Sequence, residues 1–159
     1  MGSRLTTIDA YIAGFLDGDG SLMLQLKKRS DGGLKFRFMA TICFYQDTRH
    51  DKGLLWIRKQ LGIGYIAKRN DGMSEVRVNG FAQVHDILTA LLPYLQFKKR
   101  QAVMLIKATQ ILSTTPFRTL SIKQKREVID CILAIQEENY VAKRKKTRSE
   151  LFEIVGLTP

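Results

Sequence analysis

The chain has 159 residues, 26 Lys and Arg against 15 Asp and Glu, and a formal net charge of +11. That length makes one domain with a real core, and the charge asks for a polyanionic partner, nucleic acid ahead of membrane. No run of about 18 apolar residues is present to span a bilayer, Met1-Gly2-Ser3-Arg4 lacks the apolar region of a secretory leader, and Cys43 and Cys131 lack metal-ligand spacing and read as reduced thiols.

Thr6-Thr7-Ile8-Asp9 resembles a capping box and opens a first helix. Ile8, Tyr11, Ile12, Phe15 and Leu16 recur at i, i+3, i+4, i+7 and i+8 as an apolar face. The opposite face carries Ala10, Ala13, Gly14, Asp17 and Gly18. Each interior glycine costs roughly 1 kcal/mol against alanine, so the small residues imply a second backbone packed closely on them. The helix stops at Asp17-Gly18-Asp19-Gly20, with Gly20 expected in the left-handed cap conformation. Aspartates oppose the negative end of the helix dipole. Carboxylates crowded with unsatisfied carbonyls make either a plain turn or a hard-cation site for Mg2+ or Ca2+.

From Gly20 the period changes to that of a strand. Leu22, Leu24 and Leu26 alternate with Met23, Gln25, Lys27 and Arg29. The turn Ser30-Asp31-Gly32-Gly33 leads to a second strand. There Phe36, Phe38, Ala40, Ile42 and Phe44 face the core, with Lys35, Arg37, Met39, Thr41, Cys43 and Tyr45 outside. Asp51 to Leu61 is a short helix through Leu54, Leu55, Ile57 and Leu61, stopped by Gly62. A second hairpin turns at Asn70-Asp71-Gly72 and points Tyr65, Ala67, Arg69, Glu75, Arg77 and Asn79 outward. Helices follow over Phe81 to Leu92, Lys98 to Ser113 and Ser121 to about Tyr140, then a basic tail from Ala142 to Arg148 and a short helix near Leu151. The order αββαββα plus extra helices is a mixed α+β domain. It divides into a core of about residues 6–115 and a helical, basic extension over 116–159.

The exposed strand faces hold Gln25, Lys27, Arg29, Lys35, Arg37, Cys43, Tyr45, Tyr65, Arg69, Glu75, Arg77 and Asn79. Such side chains suit a DNA major groove, which admits a β-ribbon and is read through hydrogen bonds to base edges. The basic tail is either a solvated run or a phosphate-contacting arm.

Ile12-Ala13-Gly14-Phe15-Leu16-Asp17-Gly18-Asp19-Gly20 closely resembles the signature of the LAGLIDADG homing endonucleases, departing at Phe15 and Gly18. The likeness extends through Gln46, Leu61-Gly62-Ile63-Gly64-Tyr65 and the segment from Leu91 to Ala102, and is closest to the subfamily of chloroplast introns. It implies a homodimer on double-stranded DNA, since family members with one motif pair through their motif helices, here through Tyr11, Ala13, Gly14, Asp17 and Gly18. It implies metal ligation by Asp19 and the carbonyl of Gly18, with Mg2+ as cofactor, Mn2+ as a substitute and Ca2+ supporting binding without cleavage. Gln46 and Lys98 match residues that surround the scissile phosphates. His50 stands where the family usually has Arg or Lys. It is either a weaker phosphate contact, with Arg49 or Lys52 supplying the charge, or a loop histidine without a role. Asp17 reads as a helix-end residue ahead of a metal ligand, and His85 as structural. The implied activity is cleavage of both strands of a long pseudo-palindromic site, leaving short 3′ overhangs and promoting intron homing. A non-cleaving binder, such as an intron RNA maturase or a repressor, is the alternative. No membrane or small-molecule substrate enters, and the expected location is an organelle, chloroplast ahead of mitochondrion.

Overall fold

The structure, a computed structural model, describes residues 6–29, 35–139 and 145–158. The turn Ser30 to Gly33, the first residues, and the part of the tail from Tyr140 to Arg144 lie outside the described residues.

Helix α1 (Thr6–Asp19) runs straight into β1 (Gly20–Lys28), which pairs with β2 (Phe36–Asp47). Helix α2 (Lys52–Leu61) leads to β3 (Tyr65–Lys68) and β4 (Met73–Asn79). Then come α3 (Phe81–Leu91), α4 (Lys99–Thr114), α5 (Ile122–Glu138) and α6 (Arg148–Ile154). The αββαββα order with added helices is as expected. All pairings are antiparallel, and the sheet order is β1-β2-β4-β3, so the second hairpin joins the first through its later strand.

The helix ends follow local chemistry. Gly62 caps α2 at φ 69°, in the left-handed region that a glycine enters without Cβ strain. Ser121 and Gln124 form a full capping box on α5, and Thr147 and Glu150 one on α6. Gly20 departs from expectation. It has no positive φ and begins the strand directly. An added Cβ there would lie 2.5 Å from Leu16 Cδ1, 2.8 Å from Leu16 O and 2.9 Å from Cys43 O. The glycine is therefore required by a close backbone crossing rather than by a cap.

One face of the sheet is apolar. Leu22, Leu24, Leu26, Phe38, Ala40, Ile42, Phe44, Val76 and Val78 are buried in a single cluster with Ile12 and Leu16 of α1, Leu88 of α3, Leu105 of α4 and Ile132 of α5. The other face has most of the charged and polar strand residues, with Lys27, Arg37, Tyr65 and Asn79 exposed, whereas Lys28, Gln46, Lys68 and Ser74 fall in the apolar rows at the strand ends. Cys43 and Cys131 are both free and buried.

Candidate nucleic-acid interface and acidic centre

The sheet continues out of α1, so the register of β1 on β2 sets the geometry around Asp19. Gly20 pairs with Phe44, which carries Tyr45 and Gln46 to the level where the helix ends. Asp19 is exposed at that end. Asp17, two residues earlier, is engaged within the chain. Its carboxylate accepts from Gln96 N at 2.7 Å and Lys98 N at 2.9 Å. Lys98 Nζ in turn donates to Asp17 O at 2.6 Å. A carboxylate from α1 thereby serves the open N-terminus of α4, whose own N-cap side chain makes no capping bond. The sequence reading puts Asp17 at the helix end and in the interface between two copies; within the chain its carboxylate ties α1 to the start of α4.

That tie plants Lys98 among acids. Burial pushes its ammonium below the ordinary lysine range, while Asp17 and Asp19 pull it back up. Sequence reasoning places Lys98 and Asp19 in one centre, and the structure brings them together through Asp17. Gln46 Oε1 accepts from Asp47 N at 2.9 Å. His50 is exposed in the single turn Thr48–His50 and makes no hydrogen bond among the described residues. Arg49 does not stand ready in its place. Asp47 holds it through Arg49 N at 2.8 Å, Nε at 3.0 Å and Nη2 at 2.7 Å, and those bonds hold the Asp47 carboxyl well below the usual carboxylate range.

The donor set at the α1 terminus suits a hard cation: the Asp19 carboxylate beside main-chain carbonyls that no further helical turn satisfies. Among the described residues no group of three His, Cys, Asp or Glu side chains converges to hold one. Within one chain, Asp19 is the acidic side chain exposed at this helix end.

The open face of the sheet is organised in cross-strand rows. Ser21, Cys43, Arg77 and Tyr65 share one row; Tyr45, Glu75 and Ala67 the next. Ser21 Oγ and Tyr45 Oη are 2.8 Å apart, and Thr41 Oγ1 donates to Asn79 Oδ1 at 2.7 Å. Arg77 Nε and Nη2 reach Glu75 Oε1 at 3.1 and 2.9 Å. The guanidinium of Arg69 lies 5.9 Å from the Tyr45 ring centre and pairs with Asp71 at 2.8 Å. Arg29 N donates to Lys35 O at 2.8 Å at the far end of the first hairpin. Of the twelve residues expected outside, the nine within strands occupy this face and Arg29, Lys35 and Arg69 flank the strand ends, but two of the nine present almost no surface. Cys43 is 0% and Glu75 6% exposed. Both lie on inner strands with a neighbour on each side; Glu75 also accepts from Arg77 beside it, and burial pushes the Cys43 thiol up against the opposing pull of Arg77.

The exposed side of α1 differs from its sequence reading. Tyr11, assigned by periodicity to the apolar face, is 61% exposed, and Ala13, expected at an interface, is fully buried. The outward stripe is Tyr11, Gly14 and Gly18, at i, i+3 and i+7. A Cβ added at Gly14 or Gly18 meets nothing within 4 Å. Tyr11 packs edge-on against Trp56 at 5.3 Å and 84°. Leu55, one of the apolar residues by which the helix is read, is 48% exposed beside it in sequence. A signal for Trp56 and Leu55 is present in the spacing: Leu54, Ile57 and Leu61 at i, i+3 and i+7 already complete the buried face of α2 and leave both outside it.

Comparison with known proteins agrees with this arrangement. A family model described as "LAGLIDADG endonuclease" matches residues 12–112. The chain is 41% identical over 106 residues to "DNA endonuclease I-CvuI" of Chlorella vulgaris, a match spanning 67% of this chain and 66% of that protein. It is 28% identical over 145 residues to "DNA endonuclease I-CreI" of Chlamydomonas reinhardtii, covering 91% and 86%. Among solved structures, that of the homing endonuclease I-CvuI in complex with its target, in the presence of Ca, aligns with a TM-score of 0.74 at 29% identity, over 97% of this chain and 98% of that one. The archaeal intron-encoded homing endonuclease I-Vdi141I, complexed with DNA, shares the fold with a TM-score of 0.77 at 22% identity, over 93% and 94%. This chain belongs to the LAGLIDADG endonuclease family.

Proposed function

We propose that the protein is a metal-dependent, site-specific DNA endonuclease that acts as a homodimer, makes a double-strand break in a long pseudo-palindromic target, leaves short 3′ overhangs and promotes intron homing. The observation that carries this reading is the exposed Asp19 at the foot of α1, with Lys98 fixed beside it and a basic strand face opening from the same point. An exposed glycine stripe flanked by Tyr11 and Trp56 supports a second copy on that side, because helices with no side chain at Gly14 and Gly18 can approach to backbone contact. Twofold pairing there brings two Asp19 carboxylates together, which completes the partial oxygen set of one chain.

A divalent cation so bound supplies an activated water and charge stabilisation for the leaving 3′ oxygen; Mg2+ suits the oxygen donors, with Mn2+ as a substitute. Lys98, tied to Asp17 O through one N–H of its ammonium, has further N–H groups to stabilise the developing charge of the phosphate. Gln46, its oxygen held by Asp47 N, keeps its amide N–H groups for water or phosphate. His50 is a lesser contact: it carries less charge than the Arg or Lys it replaces, and Arg49 beside it is engaged with Asp47. On the strand face Arg77, pinned by Glu75, offers a fixed fork to base edges. The relatives from Chlorella vulgaris and Chlamydomonas reinhardtii support an organelle location, chloroplast ahead of mitochondrion.

The test is cleavage of a randomised target library with Mg2+. Asp19→Asn should lower cleavage at least about 10²–10³-fold while DNA affinity in Ca2+ stays within a few fold. Wild-type cutting by the variant removes Asp19 from the metal site. Wild-type protein that binds duplex yet leaves every target intact is a binder of the maturase or repressor kind.

A further inference from the structure

A groove of about 1340 Å³ runs along the edge strand β1, from Asp19 and Lys98 at one end to Lys27 and Lys28, and includes Lys145 and Lys146 in its lining. Among the described residues, one side chain holds the segment that bears these last two lysines. Gln136 Nε2 donates to Lys146 O at 3.0 Å, and Lys146 N donates to Gln136 Oε1 at 3.1 Å. A carboxamide that closes on both polar groups of one residue replaces a neighbouring strand and fixes that residue's backbone. The residues that follow are also anchored. Thr147 starts α6 with its capping box, and Arg148 pairs with Asp130 at 2.9 Å and lies 5.6 Å from the Phe152 ring centre. Arg148 is thus spent on the fold, whereas Lys145 and Lys146 are exposed and neither ammonium has an acidic partner among the described residues. The acids at the end of α5 are engaged elsewhere, since Glu137 and Glu138 pair with Arg100.

We propose that Gln136 is a positioning residue that makes Lys145 and Lys146 a fixed ledge for a nucleic-acid phosphate backbone, in the groove that Lys27 and Lys28 also line. The inference rests on the DNA-binding part of the reading above. A fixed ledge binds phosphate better than a loose arm because the segment is already ordered before it meets the ligand. Gln136 itself touches no phosphate. It acts through the backbone of Lys146.

The experiment is a double-mutant cycle on the full chain, read as the affinity for a random-sequence duplex in Ca2+ across a salt series, so that neither the target site nor cleavage is needed. Lys145→Ala with Lys146→Ala should weaken binding and flatten the slope of log K against log salt by about 0.9 for each phosphate no longer neutralised. Gln136→Met, which keeps the volume and removes both hydrogen bonds, should weaken binding about five- to tenfold. In the double-lysine variant the same change should cost less than about twofold, because there is nothing left to position. Gln136→Glu keeps the acceptor without the donor, and should fall between. Equal losses from Gln136→Met in both backgrounds, or no loss in the wild type, overturn the proposal. Thermal melts of each variant identify any loss that comes from unfolding. A wild-type protein that binds no duplex overturns both this ledge and the DNA-binding reading, whereas one that binds and shows the cycle but never cuts overturns the nuclease reading alone.

Discussion

Lys98 sits where its charge costs the fold stability. Its ammonium is half-buried and held below the ordinary lysine range, so the folded chain binds that proton less tightly than the unfolded one. The charged form therefore costs stability at neutral pH, and the cost fades as pH rises through the folded pKa towards the ordinary lysine value of 10.5. Lys98→Met should raise Tm by about 1–3 °C while cleavage falls, a pairing that calorimetry and a cleavage assay can check together. A fall in Tm would mean that the bond to Asp17 O outweighs the desolvation. Cys131 has the opposite sign. Burial pushes its thiol up to about 11 from 9.0, so its neutral form stabilises the fold fully below pH 9.0, and that contribution is lost as pH rises through about 11. Alkaline denaturation should steepen in that window, and Cys131→Ala should remove the extra slope, at a cavity cost that does not vary with pH.

The element that decides the site is α1, and its glycines serve two different needs. At Gly20 a Cβ would overlap Leu16 and the carbonyl of Cys43, so Gly20→Ala should destabilise the fold by about 1–3 kcal/mol in urea unfolding. At Gly14 nothing within the chain opposes a side chain. A requirement there belongs to the second copy proposed above, since alanine would even favour the isolated helix by roughly 1 kcal/mol. The strands are more legible in the sequence than this helix. A period of two allows only two faces, and the apolar residues Leu22, Leu24 and Leu26 choose between them. Around α1 aromatic and small residues are both compatible with burial, and the packing of α3 and the sheet turns Ala13 inward and Tyr11 outward.

For the whole molecule, the proposed function requires two chains to build one site. One chain holds a single motif, one exposed Asp19 and an apolar edge at Tyr11, Leu55 and Trp56, with no converging metal ligands among its described residues. Sedimentation equilibrium should give about twice the chain mass of 18.1 kDa. Gly14→Leu should return a single-chain mass through steric overlap and abolish cleavage with it; a wild-type monomer that cuts both strands would end the twofold geometry. Residue order alone was enough for the family motif, the succession of elements, the two faces of each strand and the attention drawn to Asp19, Gln46 and Lys98, because each is written in local spacing or in a contiguous pattern. It took the packed chain to show that Asp17 is spent on Gln96 and Lys98, that Cys43 and Glu75 lie beneath the strand face, and that Tyr11 stands outside with Trp56. Those outcomes depend on residues far apart in the chain, and burial is a property of what packs above a side chain rather than of the side chain itself.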